Sequence, residues 1–375
     1  MALNTVTLFV CGDVMTGRGI DQILPSRSRP HLYEPCVDSA ESYVELAEGV
    51  SGAIPRKVRF DYVWGDALEE LALIRPDASI VNLETAITSS ENPWPDKGIH
   101  YRMHPANVGC LTAAGIDCCV LANNHVLDWG VAGLEETLSV LHGAGIQTTG
   151  AGRNANEASA PAILELRGTA KVLVFSFGFP SSGVPHEWCA ALKRPGVNWL
   201  PDLSERSLKG IERQLSSYRR PGCLLVASLH WGGNWGYAIS RREREFAHYL
   251  IDTAGVDLVH GHSSHHPKGI EVYRDKVILY GCGDLLNDYE GIAGHESFRG
   301  DLALMYFPVL EATSGNLVGL TMTPMQIRKF RLNRTRPEDG SWLAKALDRE
   351  CGGLGTSVSH RADGRLELHW GTTGQ

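Results

Sequence analysis

No run of apolar residues in this sequence reaches the roughly 20 that a membrane helix needs, which excludes a spanning segment. No basic tract is long enough to follow a phosphate backbone, and a net charge of -8 argues against nucleic acid as a partner. The nine cysteines are odd in number, scattered and without a CxxC pair, so they read as reduced core thiols. No GxGxxG follows the first strand pattern, no lysine lies in a pyridoxal phosphate motif and no cysteine triplet suggests an iron–sulfur cluster, so no organic cofactor is expected. Residues 1–5 pass into a strand pattern without a basic, apolar leader, which gives a cytoplasmic expectation with no membrane partner. Internal repeats and low-complexity tracts are also missing.

With 375 residues and 43% apolar content, the chain is long enough to bury a full core as one domain. Short apolar runs recur, at 6–11, 78–81, 118–122, 171–177, 223–229, 256–259, 276–280 and 301–309. Helical patterns lie between several of them, near 62–73, 106–114, 133–143 and 241–254, which gives an α/β class. Residues 25–60, rich in Pro, Ser, Arg and Gly, read as an insertion or lid, and 335–375 is weakly patterned. The apolar runs stop at polar residues: Asp13, Glu84, Asn124 with His125, His230, His262 with His265, and Asp284. In α/β folds ligands sit beyond the carboxyl ends of strands, and unpaired buried polar groups cost several kcal/mol (about 2 to 7). Six such ends point to one shared metal site.

The pieces GDVMTGR at 12–18, NLET at 82–85, LANNHVLDWG at 121–130, GAG at 150–152, LHWG at 229–232, GHSSHHP at 261–267 and GCGDLLNDYEG at 281–291 are the most specific in the chain. Together they resemble the CapA-like branch of the calcineurin-like metallophosphoesterases, whose members serve poly-γ-glutamate capsule synthesis. That resemblance implies a calcineurin-like two-sheet αββα sandwich with metal at the strand C-terminal ends. Asp13 is followed by Val14 and Met15 where binuclear members carry Asp-x-His, and Glu84 replaces an aspartate. Loss of these ligands implies one divalent ion and weakens the case for phosphoester hydrolysis, which usually draws on two.

The ligands implied are Asp13, Glu84 and the Asn124 side-chain oxygen, with His230, His262 and His265 binding the ion or its waters. Such oxygen donors suit Ca²⁺ first, with Mn²⁺, Mg²⁺ or Zn²⁺ as alternatives. The whole chain is also similar to lasso-peptide epimerases, isomerases that invert Cα of a C-terminal residue, expected to be Trp, of a precursor peptide. Under that resemblance His125 with Asp128, and His295 with Asp13 or Asp288, are the acid and base. Arg102 or Arg299 would clamp the terminal carboxylate, and Trp129 and Trp231 would wall an aromatic pocket. Two other classes remain open: a metal-dependent hydrolase of phosphoesters or poly-γ-glutamate amides, and a capsule-biosynthesis protein that binds without transforming.

Overall fold

The computed structural model describes residues 4–35, 37–166, 170–220 and 222–371. The leader reading at residues 1–3, position 36 of the insertion and residues 372–375 of the C-terminal segment lie outside the described residues. The eight cysteines described are free; six are core thiols, and Cys189 and Cys223 are half-buried.

Alternation along Thr5–Val14 sets the layers. Val6, Leu8 and Val10 point to one side and Phe9 and Cys11 to the other, and both sets are buried. This strand lies in a ten-stranded mixed sheet. On one flank Ala78–Leu83, Cys118–Val120 and Gln147–Thr149 run parallel in sequence. On the other, Leu302–Glu311, Leu317–Ile327, Leu366–Trp370 and Thr356–His360 continue antiparallel. A second, six-stranded sheet has Lys171–Gly178, Cys223–His230, Leu258–His262 and Lys276–Leu279 as parallel neighbours.

The two sheets face each other across one apolar core, in which Val6, Leu8, Val10, Ile80 and Val120 meet Val172, Val174, Leu224, Val226 and Leu258. Behind the large sheet, Phe9, Val81 and Cys119 pack under helical residues such as Ile20, Ala67, Leu134 and Leu138. Behind the small sheet, Phe175, Phe177 and Ala227 pack under Leu208, Ile211, Leu215, Phe246 and Leu250. The order is therefore helices, sheet, sheet, helices. Each fully buried Leu, Val or Phe contributes about 1.5–3 kcal/mol, enough to fix the sheets' register against the polar residues at their ends. Among the described residues no helix is long and apolar enough to cross a membrane.

Within residues 25–60, the helix Glu41–Ser51 buries Tyr43, Val44 and Ala47. The weakly patterned C-terminal segment forms the helix Pro337–Gly352 and two strands that complete the edge of the large sheet. The helix Glu205–Tyr218 and the strand Leu317–Ile327 carry no expectation from sequence, because polar residues interrupt their apolar faces.

The two ends of the site's backbone meet at Gly12, where a Cβ would lie 1.8 Å from the Gly283 carbonyl oxygen. Gly12→Ala is expected to lower the unfolding free energy by about 2–4 kcal/mol in urea denaturation. An unchanged midpoint would show that this close approach is not needed for stability.

Candidate metal centre

Asp13 ends its strand opposite Asn82 on one side and Asp284 on the other, just after a register shift that follows Cys11. Asn82 Nδ2 donates to Asp13 Oδ1 at 2.7 Å, and Asn123 Nδ2 in turn donates to Asn82 Oδ1 at 3.0 Å and to the Leu83 carbonyl at 2.8 Å. This amide chain fixes one edge of the Asp13 carboxylate. The other oxygen, Oδ2, is buried and has no donor among the described residues. Glu84 is its neighbour, and can offer it a hydrogen bond only when protonated.

From the second sheet, His230 and His262 stand side by side in register, with their Nδ1 atoms 2.8 Å apart. His230 Nε2 reaches Asn124 Oδ1 at 3.0 Å, and Ser228 Oγ holds His262 Nε2 at 2.8 Å. His260 Nε2 bonds the Cys11 carbonyl at 2.7 Å, tying one sheet to the other directly behind the cluster. His265 Nδ1 lies 3.0 Å from Asp284 Oδ1, and Asn287 Nδ2 donates to the second Asp284 oxygen at 2.8 Å. Asp13, His230 and His262 bring ligand atoms within 4.8 Å of one another, as do Asp13, His265 and Asp284. Glu84 Oε1 is 3.8 Å from His230 Nε2 and 3.9 Å from His125 Nε2. The six metal-ligand positions expected from sequence thus converge, with Asp13 common to both triads.

Burial and the nearby Asp284 charge push the Asp13 carboxyl up to about 7. Burial, then the Asp13 charge, pushes Glu84 well above the usual carboxylate range. Burial holds His230 and His262 well below the usual imidazole range. For His265 burial acts downward, but Asp284 outweighs it and the net shift is upward.

His125 and Asp128 form the pair expected, with Nδ1 to Oδ2 at 2.7 Å, although they are only three residues apart. Asp128 also accepts from the Tyr101 backbone N–H at 2.6 Å, and the Tyr101 ring stacks on the imidazole at a centroid distance of 3.9 Å. Lys97 Nζ lies 2.6 Å from Asp128 Oδ1 and 3.2 Å from His125 Nδ1. Burial, aided by Lys97 and opposed by Asp128, lowers His125 to about 4. The imidazole is neutral near pH 7, its Nε2 edge turned toward Glu84. Sequence reasoning missed Asn82, Asn123 and Lys97. The two asparagines are inside motifs already singled out, whereas Lys97 lies in a loop without periodicity.

Among the described residues no contact joins His295 to Asp13 or Asp288, its expected partners. His295 is exposed and stacks on Trp235 at 3.9 Å. Its expected partner Asp288 is buried and held through both oxygens by Arg18. Arg102 is also corrected as a carboxylate clamp: it donates to the Ser90 and Arg29 carbonyls and to Glu91, and lies over Trp129. Arg299 is held by Asp301 and Asp339. Trp129 and Trp231 are buried and donate their N–H groups to the Tyr101 and Tyr280 carbonyls; Trp129 lines a hollow with Arg102, but at about 10 Å³ it is too small for an indole.

Residues 7–289 match the family model described as bacterial capsule synthesis protein PGA_cap. A probable polyglutamine synthesis accessory protein of Mycobacterium tuberculosis is 46% identical over 366 residues, covering 97% of this chain and 96% of that one. The capsule biosynthesis protein CapA of Bacillus anthracis is 25% identical, over 76% of this chain and 60% of its own length. The PGA biosynthesis protein CapA of Bacillus subtilis is 27% identical, over 74% and 62%. These relatives are named as accessory and capsule biosynthesis proteins, not isomerases, and the expectation of an isomerase is corrected on that ground.

A carboxyl raised to about 7 keeps a proton in the folded chain that the unfolded chain releases near pH 4, so without a cation it opposes folding progressively as pH climbs through that window. In chelator, Asp13→Asn is expected to raise the melting temperature at pH 8 and to raise it clearly less at pH 5. Equal effects at both values would remove the buried charge as the cause.

Proposed function

This chain belongs to the bacterial capsule synthesis protein family PGA_cap, and on that premise we propose that it is an accessory protein in the making of a glutamyl polymer. In this reading it holds a divalent cation where its two sheets meet and engages the polymer there. The observation that carries the reading is the Asp13 carboxylate, buried, shared by both donor triads, beside Glu84 and with one oxygen left without a neutral donor. Two buried carboxylates so arranged need a proton or a cation.

Asp13, Glu84, Asn124, His230 and His262 would hold the ion on one side, and Asp13, His265 and Asp284 on the other. Bound there, the ion would anchor a carboxylate of the polymer or polarise an amide carbonyl. The mixture of oxygen and imidazole donors moves our choice from Ca²⁺ toward Mn²⁺ or Zn²⁺. His125, clamped by Asp128 and Lys97 and backed by Tyr101, keeps a neutral ring edge on the Glu84 side to hydrogen-bond the polymer. The layer order supports a calcineurin-like αββα sandwich as the scaffold.

Equilibrium dialysis against Mn²⁺ with elemental analysis, followed by calorimetry with γ-glutamyl oligomers, tests the proposal. Wild-type protein is expected to retain the ion and bind oligomer, and chelator to abolish oligomer binding. Asp13→Ala and His230→Ala should each weaken ion binding at least about tenfold, or about 1.4 kcal/mol. Oligomer binding that survives chelation, or ion affinity indifferent to both substitutions, would sink it.

A further inference from the structure

The chain carries a net charge of -8, yet residues 205–220 hold five cations, Arg206, Lys209, Arg213, Arg219 and Arg220, against two carboxylates, Glu205 and Glu212. The cause of their exposure is the helix Glu205–Tyr218 itself. Leu208, Ile211 and Leu215 bury one stripe against the small sheet, which leaves Arg206, Lys209 and Arg213, spaced three and four residues apart, on an exposed face. Arg219 and Arg220 continue the line past the helix end. The acids here are engaged locally: Glu205 pairs with Lys209 at 2.7 Å and Glu212 accepts from the Tyr249 hydroxyl at 3.1 Å. Among the described residues, Arg206, Arg213, Arg219 and Arg220 have no acidic partner within ion-pair distance.

The surface along this line carries two shallow, open hollows. A hollow of about 550 Å³ is lined by Glu205, Arg206, Lys209 and Arg213, and a second of about 390 Å³ includes Arg219 and Arg220 in its wall. Its direction matters. Trp199, just before the helix, bridges to Gly178, which shares a row with His230 and hence with His262 at the metal centre. At the other end, Arg220 accepts from the Cys223 backbone N–H, and Cys223 pairs with Lys171 at the opposite edge of the sheet. A helix of fourteen residues spans about 21 Å, so the cations run from the rim of the centre down the outer flank.

We propose that this row of arginines is a docking track for an extended polycarboxylate, the glutamyl polymer engaged at the metal centre, whose repeating carboxylates pair with cations set roughly one helical turn apart. This inference rests on the function proposed above and adds a second, electrostatic contact remote from the ion. An exposed charged helix face is ordinarily just solvated. This one differs in its excess of unpaired cations on a chain of opposite net charge, and that local sign is what would attract a polyanion to this flank rather than elsewhere. The polymer must carry charge: an uncharged polyamide gains nothing from the row.

The test compares the Mn²⁺-loaded full chain with Arg206→Glu/Arg213→Glu/Arg220→Glu, and with the same three positions changed to Gln. The probes are a γ-glutamyl trimer and a long poly-γ-glutamate. All three side chains are exposed, so melting temperatures should match. The long polymer is expected to bind wild type at least tenfold tighter than the trimer, with an advantage that declines as salt rises. The Glu variant should lose that advantage, the Gln variant should lose part of it, and trimer binding should not change. Trimer binding without any gain from length, or a gain untouched by charge reversal, overturns the track while leaving the metal-centre reading intact. Failure of both probes to bind removes both. Equal binding of polyglutamine, single-stranded DNA or anionic vesicles to this flank would overturn the assignment of a polycarboxylate.

Discussion

Asp13 and Glu84 set two carboxylates against each other in the interior, and the surrounding structure is arranged so that neither can withdraw. The Asp13 backbone is fixed by the bond from its N–H to the Gly283 carbonyl at 3.1 Å and by the close passage of Gly12 beneath that carbonyl. Its side chain is fixed by Asn82, which Asn123 orients. The Glu84 backbone N–H donates to the Val14 carbonyl at 3.1 Å, one residue from Asp13. Retreat of either acid would break a strand-end hydrogen bond in a water-poor site, where an unmade bond costs about 1–3 kcal/mol.

Two of the imidazoles that surround the acids do not relieve them. Burial keeps His230 and His262 neutral, and their ring nitrogens are occupied by each other, by Ser228 and by Asn124. A neutral histidine offers a lone pair or an N–H, never a countercharge. These two rings therefore offer the acids no charge, and ligation of an ion would exchange the contact between their Nδ1 atoms for bonds to it. His260, bonded across to the Cys11 carbonyl, belongs to the same group of histidines but serves to tie the two sheets together.

Much of this was legible in the chain because strand ends are where periodicity stops. The transitions at Asp13, Glu84, Asn124, His230 and His262 could be placed to within a residue or two, since each follows a run of apolar residues buried on both faces. Convergence followed from parallel strands presenting the same ends. Other features were not legible, for physical reasons. Lys97 reaches His125 from a loop, and loop paths carry no period. Arg102 and Arg299 looked free because a sequence cannot show backbone carbonyls such as those of Ser90 and Arg29, or an aspartate distant in the chain such as Asp339, taking up a guanidinium. Trp129 and Trp231 are amphipathic residues whose polar tips found carbonyls inside the core. The helix Glu205–Tyr218 escaped notice because its buried stripe is narrow and its remaining residues are charged or small.

The cations nearest the centre sharpen the electrostatic argument. Arg18 is buried with φ at 42°, a left-handed conformation that costs a residue of this size about 1–3 kcal/mol and persists only when its surroundings hold it. They do so through Asp288 and Glu34, and through the rings of Tyr43 at 3.7 Å and Tyr101 at 4.8 Å. Glu34 and Tyr43 come from the 25–60 insertion, which thereby forms a wall behind Tyr101 and His125. Lys97 is likewise taken, by Asp128. Both cations are thus committed to other acids, and the basic groups within 4 Å of Asp13 and Glu84 among the described residues are histidines that burial keeps neutral. The nearest charges give only partial relief: His265 lowers Asp13 and Lys97 lowers Glu84, but each is already paired, with Asp284 and with Asp128, and burial still raises both acids. At neutral pH the alternatives are a trapped proton or a cation drawn from solution, and the donors already assembled around Asp13 favour the cation.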